Sequence, residues 1–537
     1  MSASWDVVVV GAGSAGCALA ARLVDAGRRV LVLEAGADHP QPADFPAVLT
    51  DAATLGAVTP GHPANWTYLA ELAEDVTYPV VRGRVVGGSS AVNGAYFIRG
   101  TPGDFDGWAA AGNPLWSYEQ VLPAFRRSEA DADFGGRPEH GADGPVPVRR
   151  VRTAHPVTDG FAAACAELGF PDEPDKNAGA APGHGPVPVN VRDGVRVNAA
   201  MAYLSPRRAG PGLTVRGNTR VTRVLVERGR AVGVATPDGE VRADEVVLAA
   251  GAVGSPHLLM LSGIGPAGQL RAAGVPVLVD APVGAAFSDH PDLYVTWQPA
   301  RRLPAPRDLL PLATALHATG EGSRTPGDLE LMPWLKPFSR VIRPPAGTGP
   351  AALVRTAGAA LRALRGASVH RLLDQARRRD DLMIGVALQQ EESRGRLSLV
   401  SADPAVPPRI EHRYLTEEAD RRRMREVVRL AAELLRTPSL APLVAARTGL
   451  PDDVLTDDRE LDRWTRRHLA TAIHLAGSAP MGPDGDPAAV VDQHLRVRGV
   501  DGLRVVDTSV MPQVTSRGPA ATALMLGERA AELMSGS

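Results

Sequence analysis

The first residues with a spacing suited to chemistry are three glycines. Gly11-Ala-Gly13-Ser-Ala-Gly16 stands between Val7 to Val10, an apolar run that predicts a buried strand, and a helical pattern from Cys17 to Asp25. A second apolar strand, Val30 to Leu33, ends on the acid Glu34. The three glycines differ in what they permit. Gly11 makes the tight turn, Gly13 lets backbone approach a pyrophosphate, and Gly16 lets helix and strand pack closely. Ser14 and Ala15 lie where the helix opens, and its N-terminus offers N–H groups and a positive dipole end to phosphates. Glu34, followed by Ala35, is placed to accept hydrogen bonds from an adenosine ribose. Strand, glycine turn, helix and acid in this order predict a bound dinucleotide.

The elements that must position this site are spread along the chain. Arg82 to Gly100 is too rich in small residues for a plain strand or helix, and its glycines let backbone come close to a large flat ligand. From Leu213 to Gly251 the pattern turns to short alternating strands with a Pro237-Asp238-Gly239 turn. Glu245 to Ala250 predicts an apolar strand that runs into Gly251-Ala-Val-Gly-Ser-Pro256 and an apolar helix from His257 to Leu261. This second strand, turn and helix implies a dinucleotide domain assembled from separated segments. Residues 349–381 predict a basic amphipathic helix, read as a solvated surface or as contact with a membrane surface or electron-accepting partner. Thr416 to Arg436 predicts a charged helix with a solvated face, and Thr522 to Leu533 a closing helix.

Bulk properties narrow the class. The chain has 537 residues, enough for more than one core, with 44% hydrophobic and 22% charged residues, as in soluble globular proteins. A net charge of −2 gives no reason to expect nucleic acid. Cys17 and Cys165 are the two cysteines, with no metal-binding spacing and no disulfide pattern, so no metal is expected and a reducing cytoplasm fits. No signal peptide or membrane-spanning run is evident.

Four motifs in order, Gly11 to Glu34, Arg82 to Gly100, Gly251 to Pro266 and His474 to Pro512, resemble the glucose–methanol–choline (GMC) oxidoreductases, a family of FAD flavoenzymes. The resemblance implies an α/β architecture: a Rossmann-type FAD domain built from separated segments, and a substrate domain on an antiparallel sheet with helices. It divides the chain into 1–298, mostly FAD-binding, 299–384, a variable substrate or partner segment, and 385–532, which carries the catalytic histidine. By motif position, Gly11, Gly13, Gly16 and Glu34 would bind the ADP half. Gly87, Gly88, Ser89, Asn93 and Gly94, with Arg82 before them, would lie along the flavin. Val221 would hold adenine by its backbone, Ala250 and Gly251 form the second turn, and Asp507 and Thr508 face the diphosphate–ribityl region.

His474, in Ala472-Ile-His474-Leu-Ala-Gly477, resembles the family's catalytic segment. Oxidising an alcohol needs a group that takes the hydroxyl proton as hydride leaves carbon, and imidazole suits that role near neutral pH. His468 reads as a surface or structural residue, and His290, in Asp289-His290-Pro291, as a residue that fixes its own loop. Two departures from the family pattern stand out. Val92 takes the place of a histidine that attaches flavin covalently in some members, so noncovalent FAD is expected. Counted from Met511-Pro512, the family's second catalytic His or Asn falls at Ala520, leaving Ser516 or Arg517 as auxiliary candidates.

The runs Thr515 to Thr522, Arg394 to Ser401 and Pro408 to Tyr414 look like the mycofactocin-associated GMC dehydrogenases. That subgroup implies reduced mycofactocin as electron donor and a membrane-side respiratory acceptor, with the protein cytoplasmic or peripheral at the inner membrane face. The alternatives are a dehydrogenase or oxidase of a small alcohol, choline included, and a lyase-like flavoprotein resembling the hydroxynitrile lyases.

Overall fold

The computed structural model describes residues 5–306, 310–342 and 380–535. The predicted basic helix over 349–381 lies outside the described residues except for its last two positions. Among the described residues no helix is long and apolar enough to cross a membrane.

One sheet is mostly parallel. Trp5–Val10 pairs in parallel with Val30–Leu33 on one side and Gly239–Leu248 on the other. Leu213–Arg216 joins beyond Val30–Leu33, and Leu503–Val505 beyond Gly239–Leu248. Val7 to Val10 and Val30 to Leu33 are all buried, as expected of strands covered on both faces. The helix Ser14–Asp25 packs on this sheet, and the closing helix Ala520–Ser535 packs against that helix. Strands from residues 5 to 505 thus meet in one sheet, the assembly from separated segments that the sequence implied.

The second sheet is antiparallel. Pro291–Pro299 pairs with Leu382–Leu388, which pairs with Leu329–Pro333, which pairs with Thr314–Ala318. Residues opposite one another in adjacent strands share a face. Leu293, Val386, Leu331 and Leu316 are in register and pack with Met424, Val427 and Ala431 of the helix Glu418–Leu434. Asp292, Ala387, Glu330 and His317 are also in register and occupy the opposite face. The sheet therefore buries an apolar face and turns a polar one inward. It also includes His184–Pro186, so it draws on all three segments that the sequence divided.

Two expectations need correction. The second helix starts at Gly251, not His257, and contains Pro256. Proline cannot donate to the carbonyl four residues back; that carbonyl, of Ala252, accepts from the Ser478 hydroxyl at 2.6 Å instead. The charged helix Glu418–Leu434 does not present a merely solvated face. Asp420 and Arg423 are buried, Asp420 accepts from the Ser393 N–H and hydroxyl, and Arg423 pairs with Asp328 at 2.7 Å.

Candidate active site

The glycine turn has the geometry its spacing predicts. Gly11 has φ +104°, and a Cβ on Gly16 would stand 2.2 Å from the Gly11 carbonyl oxygen, so helix and strand touch where only glycine fits. A Cβ on Gly13 would meet nothing closer than 3.8 Å, so its backbone is open to a ligand. No side chain caps the helix that begins at Ser14, which leaves its dipole end to an anion. Glu34 is buried and binds the turn from below: the Ala12 N–H donates to it at 3.0 Å and the Gly36 N–H at 2.8 Å.

All residues assigned to the cofactor except Gly16, Gly87, Asn93 and Gly94 line one cavity of about 350 Å³. Gly16 packs against the Gly11 backbone and Gly87 against the Asn198 side chain, and the Asn93 side chain accepts from the Ala95 N–H at 3.0 Å. Asp507 lines the cavity, but its oxygens also clamp the second turn, taking the Gly251 N–H at 2.9 Å, the Ser255 hydroxyl at 2.5 Å and the Ser509 N–H at 2.8 Å. This donor set, with the open Gly13 backbone and the acid at the ribose position, fits a dinucleotide. A larger cleft of about 590 Å³, lined by Arg421, Tyr414 and Asp462 among others, lies elsewhere; Arg421 and Arg466 at its wall are held by Glu418 and Glu74.

His474 is linked to that cavity through Arg82. Arg82 donates to the carbonyl of Ile473 at 2.6 Å, tying the second motif to the residue before the histidine. Ile473 has φ +63°, unusual for a β-branched residue. His290 stands edge-on to His474, with Nδ1 to Nδ1 at 2.9 Å, and its Nε2 meets the Thr515 carbonyl at 3.1 Å. Asp289 organises both: one carboxylate oxygen accepts the backbone N–H groups of His290 and His474, each at 2.7 Å. The other oxygen accepts from Thr471 at 3.0 Å and meets His412 Nε2 at 3.1 Å.

Burial lowers the His474 pKa below its ordinary value, and Asp289 and Glu330 oppose that shift. Burial and the neighbouring His474 push His290 down to about 3, so it is neutral. Burial works against charge on Asp289, but the hydrogen bond from His412 and the nearby imidazoles hold it at about 2. Glu330 is likewise held at about 2 against its burial, chiefly by His317 at 3.0 Å.

The sequence reads His290 as a loop residue, whereas it is the partner of His474; its place beside Asp289 was the available signal. Gly518 was missed as well: a Cβ there would stand 3.3 Å from Cε1 and 3.5 Å from Nε2 of His474. Ala520, the expected position, begins the closing helix. The auxiliary candidates are turned elsewhere. The Ser516 hydroxyl donates to Asp104 at 2.9 Å, and Arg517 donates to the carbonyls of Gly327 and Ser516 at 2.9 and 2.6 Å. His468 is structural, stacked on Trp464.

Glu129, Asp131 and His140 also converge, in an arrangement able to hold a metal. Arg99 pairs with Glu129 at 2.5 Å and Arg150 with Asp131 at 2.7 Å, so cations of the chain already balance these acids.

A glycine cradle for a dinucleotide, joined through Arg82 to a buried pair of imidazoles, is the site of an oxidoreductase. More particularly, the chain belongs to the GMC oxidoreductase family, whose models match residues 5–292 and 391–527. Its cofactor is FAD and it acts on alcohol-type donors. It is 38% identical to an uncharacterised GMC-type oxidoreductase of the thcA 5′ region of Rhodococcus erythropolis, over 99% of this chain and 98% of that one. It is 34% identical to mitochondrial choline dehydrogenase of Homo sapiens, over 99% and 89%. Pyridoxine 4-oxidase from Mesorbium loti superposes with a TM-score of 0.83 at 29% identity, covering 98% of this chain and 99% of that one.

Proposed function

We propose that this protein is a dehydrogenase that oxidises the CH–OH group of its donor with His474 as base, and that the donor is reduced mycofactocin, with electrons passing on to a membrane-side respiratory acceptor. The observation that carries the reading is the buried His474, held by His290 and Asp289, with Arg82 of the cofactor cavity bonded to the residue before it. FAD, bound noncovalently beside Val92, supplies the acceptor for the hydride. Binding, orientation and proton transfer belong to the chain. The glycine turn and Glu34 hold the adenosine diphosphate end. His474 takes the hydroxyl proton, and the Asp289 carboxylate offsets the charge that imidazole then carries. Gly518 packs against the His474 ring, so that a side chain there would press on Cε1 and Nε2 of the base.

The test is anaerobic mixing of the purified protein with reduced mycofactocin, choline and simple primary alcohols. Bleaching of the flavin by the mycofactocin donor alone supports the proposal. Bleaching by choline or a simple alcohol instead replaces that donor with the small-alcohol reading, which the 34% identity to choline dehydrogenase favours. Peroxide formed at the rate of donor oxidation would make the protein an oxidase. His474→Ala is expected to slow bleaching by roughly 10²–10⁴-fold with FAD retained.

A further inference from the structure

We propose that His290 is a positioning residue that fixes the tautomer of His474, and that it does so by having no exit for a proton. The inference rests on His474 being the base and follows from counting protons on four ring nitrogens. His290 Nε2 faces the Thr515 carbonyl at 3.1 Å, and a carbonyl only accepts, so this nitrogen carries hydrogen. The Thr515 carbonyl is fixed from both sides, because the neighbouring Val514 and Ser516 N–H groups donate to Ser288 and Asp104 at 2.9 Å each. A neutral His290 then has a bare lone pair on Nδ1. The two Nδ1 atoms are 2.9 Å apart and share one hydrogen, which must come from His474. His474 is therefore protonated on Nδ1 and bare on Nε2, the nitrogen beside Gly518.

The alternative assignment disables the site. Were His290 an imidazolium, its Nδ1–H would occupy the Nδ1 lone pair of His474, and hydrogen would sit on Nε2, leaving no base. Complete burial of His290 disfavours that state. The charged groups facing the pair pull both ways: the Asp289 and Glu330 carboxylates favour charge on the imidazoles and Arg82 opposes it on His474, and at His290 burial and the second imidazole outweigh the acids.

The same geometry sets the direction of the proton. After the hydroxyl proton arrives on Nε2, His474 is an imidazolium whose Nδ1–H still donates to His290. Onward transfer would require His290 Nε2 to shed its hydrogen onto a carbonyl, which cannot hold it. The proton therefore leaves by Nε2, the nitrogen through which it entered. His290 orients the base and relays nothing.

Glutamine can imitate this arrangement, since its carbonyl accepts and its amide donates. His290→Gln is expected to keep kcat within about tenfold of wild type, whereas His290→Leu loses about 10- to 100-fold. In His290→Leu the imidazolium loses its acceptor, so the acid limb of the pH profile moves to lower pH. A residue that only fixed its loop would change KM or FAD content and leave that limb in place, which would overturn the proposal. The decisive readout needs no turnover and no substitution at 290. Histidine-selective ¹⁵N NMR of the resting protein, with His474 assigned by its absence in His474→Gln, is expected to show hydrogen on Nδ1. Hydrogen on Nε2 would overturn the proposal outright. Full turnover by His474→Gln would instead remove the reading of His474 as base, independently of the tautomer found.

Discussion

Gly518 lies against the His474 ring, close enough that a Cβ would stand 3.3 Å from its Cε1 and 3.5 Å from its Nε2. Contacts that tight require a neighbour to yield by a few tenths of an ångström. The ring cannot yield freely, because His290 holds its Nδ1 and Asp289 its backbone. Gly518→Ala should therefore narrow the space for the donor. We expect kcat/KM to fall roughly tenfold for a bulky donor and less for a small primary alcohol, since small misplacements at a reacting centre are costly. Equal losses for both would mean that the ring had moved and the space was irrelevant.

Asp289 accepts hydrogen bonds from four groups and is fully buried, so its charge is part of the local fold. Asp289→Asn keeps the shape but turns one acceptor into a donor aimed at N–H groups. The base would be displaced, and we expect kcat to fall about 10- to 100-fold with FAD still bound. The linkage has a definite sign. The folded carboxyl sits at about 2, below its ordinary 3.8, so its stabilisation is present above 3.8 and is lost as pH falls through 2. Urea unfolding midpoints between pH 5 and pH 3 should therefore decline more steeply in the wild type than in Asp289→Asn. Parallel declines would show that Asp289 carries no such charge.

The cofactor half was legible because it is local. Gly11, Gly13, Gly16 and Glu34 are read within a few turns of chain, and periodicity reports strand and helix directly. His474 itself was read from its segment, but the corner around it was not, because that corner is made by long-range register. His290 meets His474 only because Pro291 and Asp292 pair with Thr471 and Ala470, and no spacing announces that pairing. Gly518 was missed for a similar reason: counting along an irregular loop from Pro512 assigns Ala520, while the facing residue depends on how Thr515 and Ser516 are pinned. Buried charge was also invisible, since Asp420 and Arg423 read as surface residues until Ser393 and Asp328 are brought to them.

Ile473 offers a test of strain beside the base. Its φ of +63° is costly for a β-branched side chain, by roughly 1–2 kcal/mol. The conformation persists because its N–H donates to Thr471 at 3.0 Å and its carbonyl accepts from Arg82 at 2.6 Å. Ile473→Gly relieves the cost but removes side-chain packing and frees the backbone. We expect an unchanged or slightly higher Tm together with a lower kcat. A lower Tm with unchanged kcat would show that the side chain is held for packing and not for placing His474.

His140 makes a prediction at the other end of the pH scale. It is buried among Glu129 at 2.8 Å, Asp131 at 3.2 Å and Asp175 at 2.8 Å, while Arg99 and Arg150 face the same acids. Burial opposes charge on the imidazole, but the hydrogen bonds to Asp131, Asp175 and Glu129 outweigh it and raise its pKa to about 10. Three acids then face three cations, and losing one cation leaves a buried carboxylate without a partner, which is severely destabilising. The folded value lies above the ordinary 6.5, so the contribution is complete below 6.5, and it is lost as pH rises through 10. Lys176 and Lys336, the chain's two lysines, are common to the wild type and His140→Gln, so the difference between the two proteins isolates His140. The urea midpoint of the wild type should fall between pH 7 and pH 10. His140→Gln, neutral throughout, should be less stable at pH 7 and nearly flat over the same range. A wild type as flat as the variant would mean that His140 is neutral in the folded protein, and that Arg99 and Arg150 alone balance the three acids.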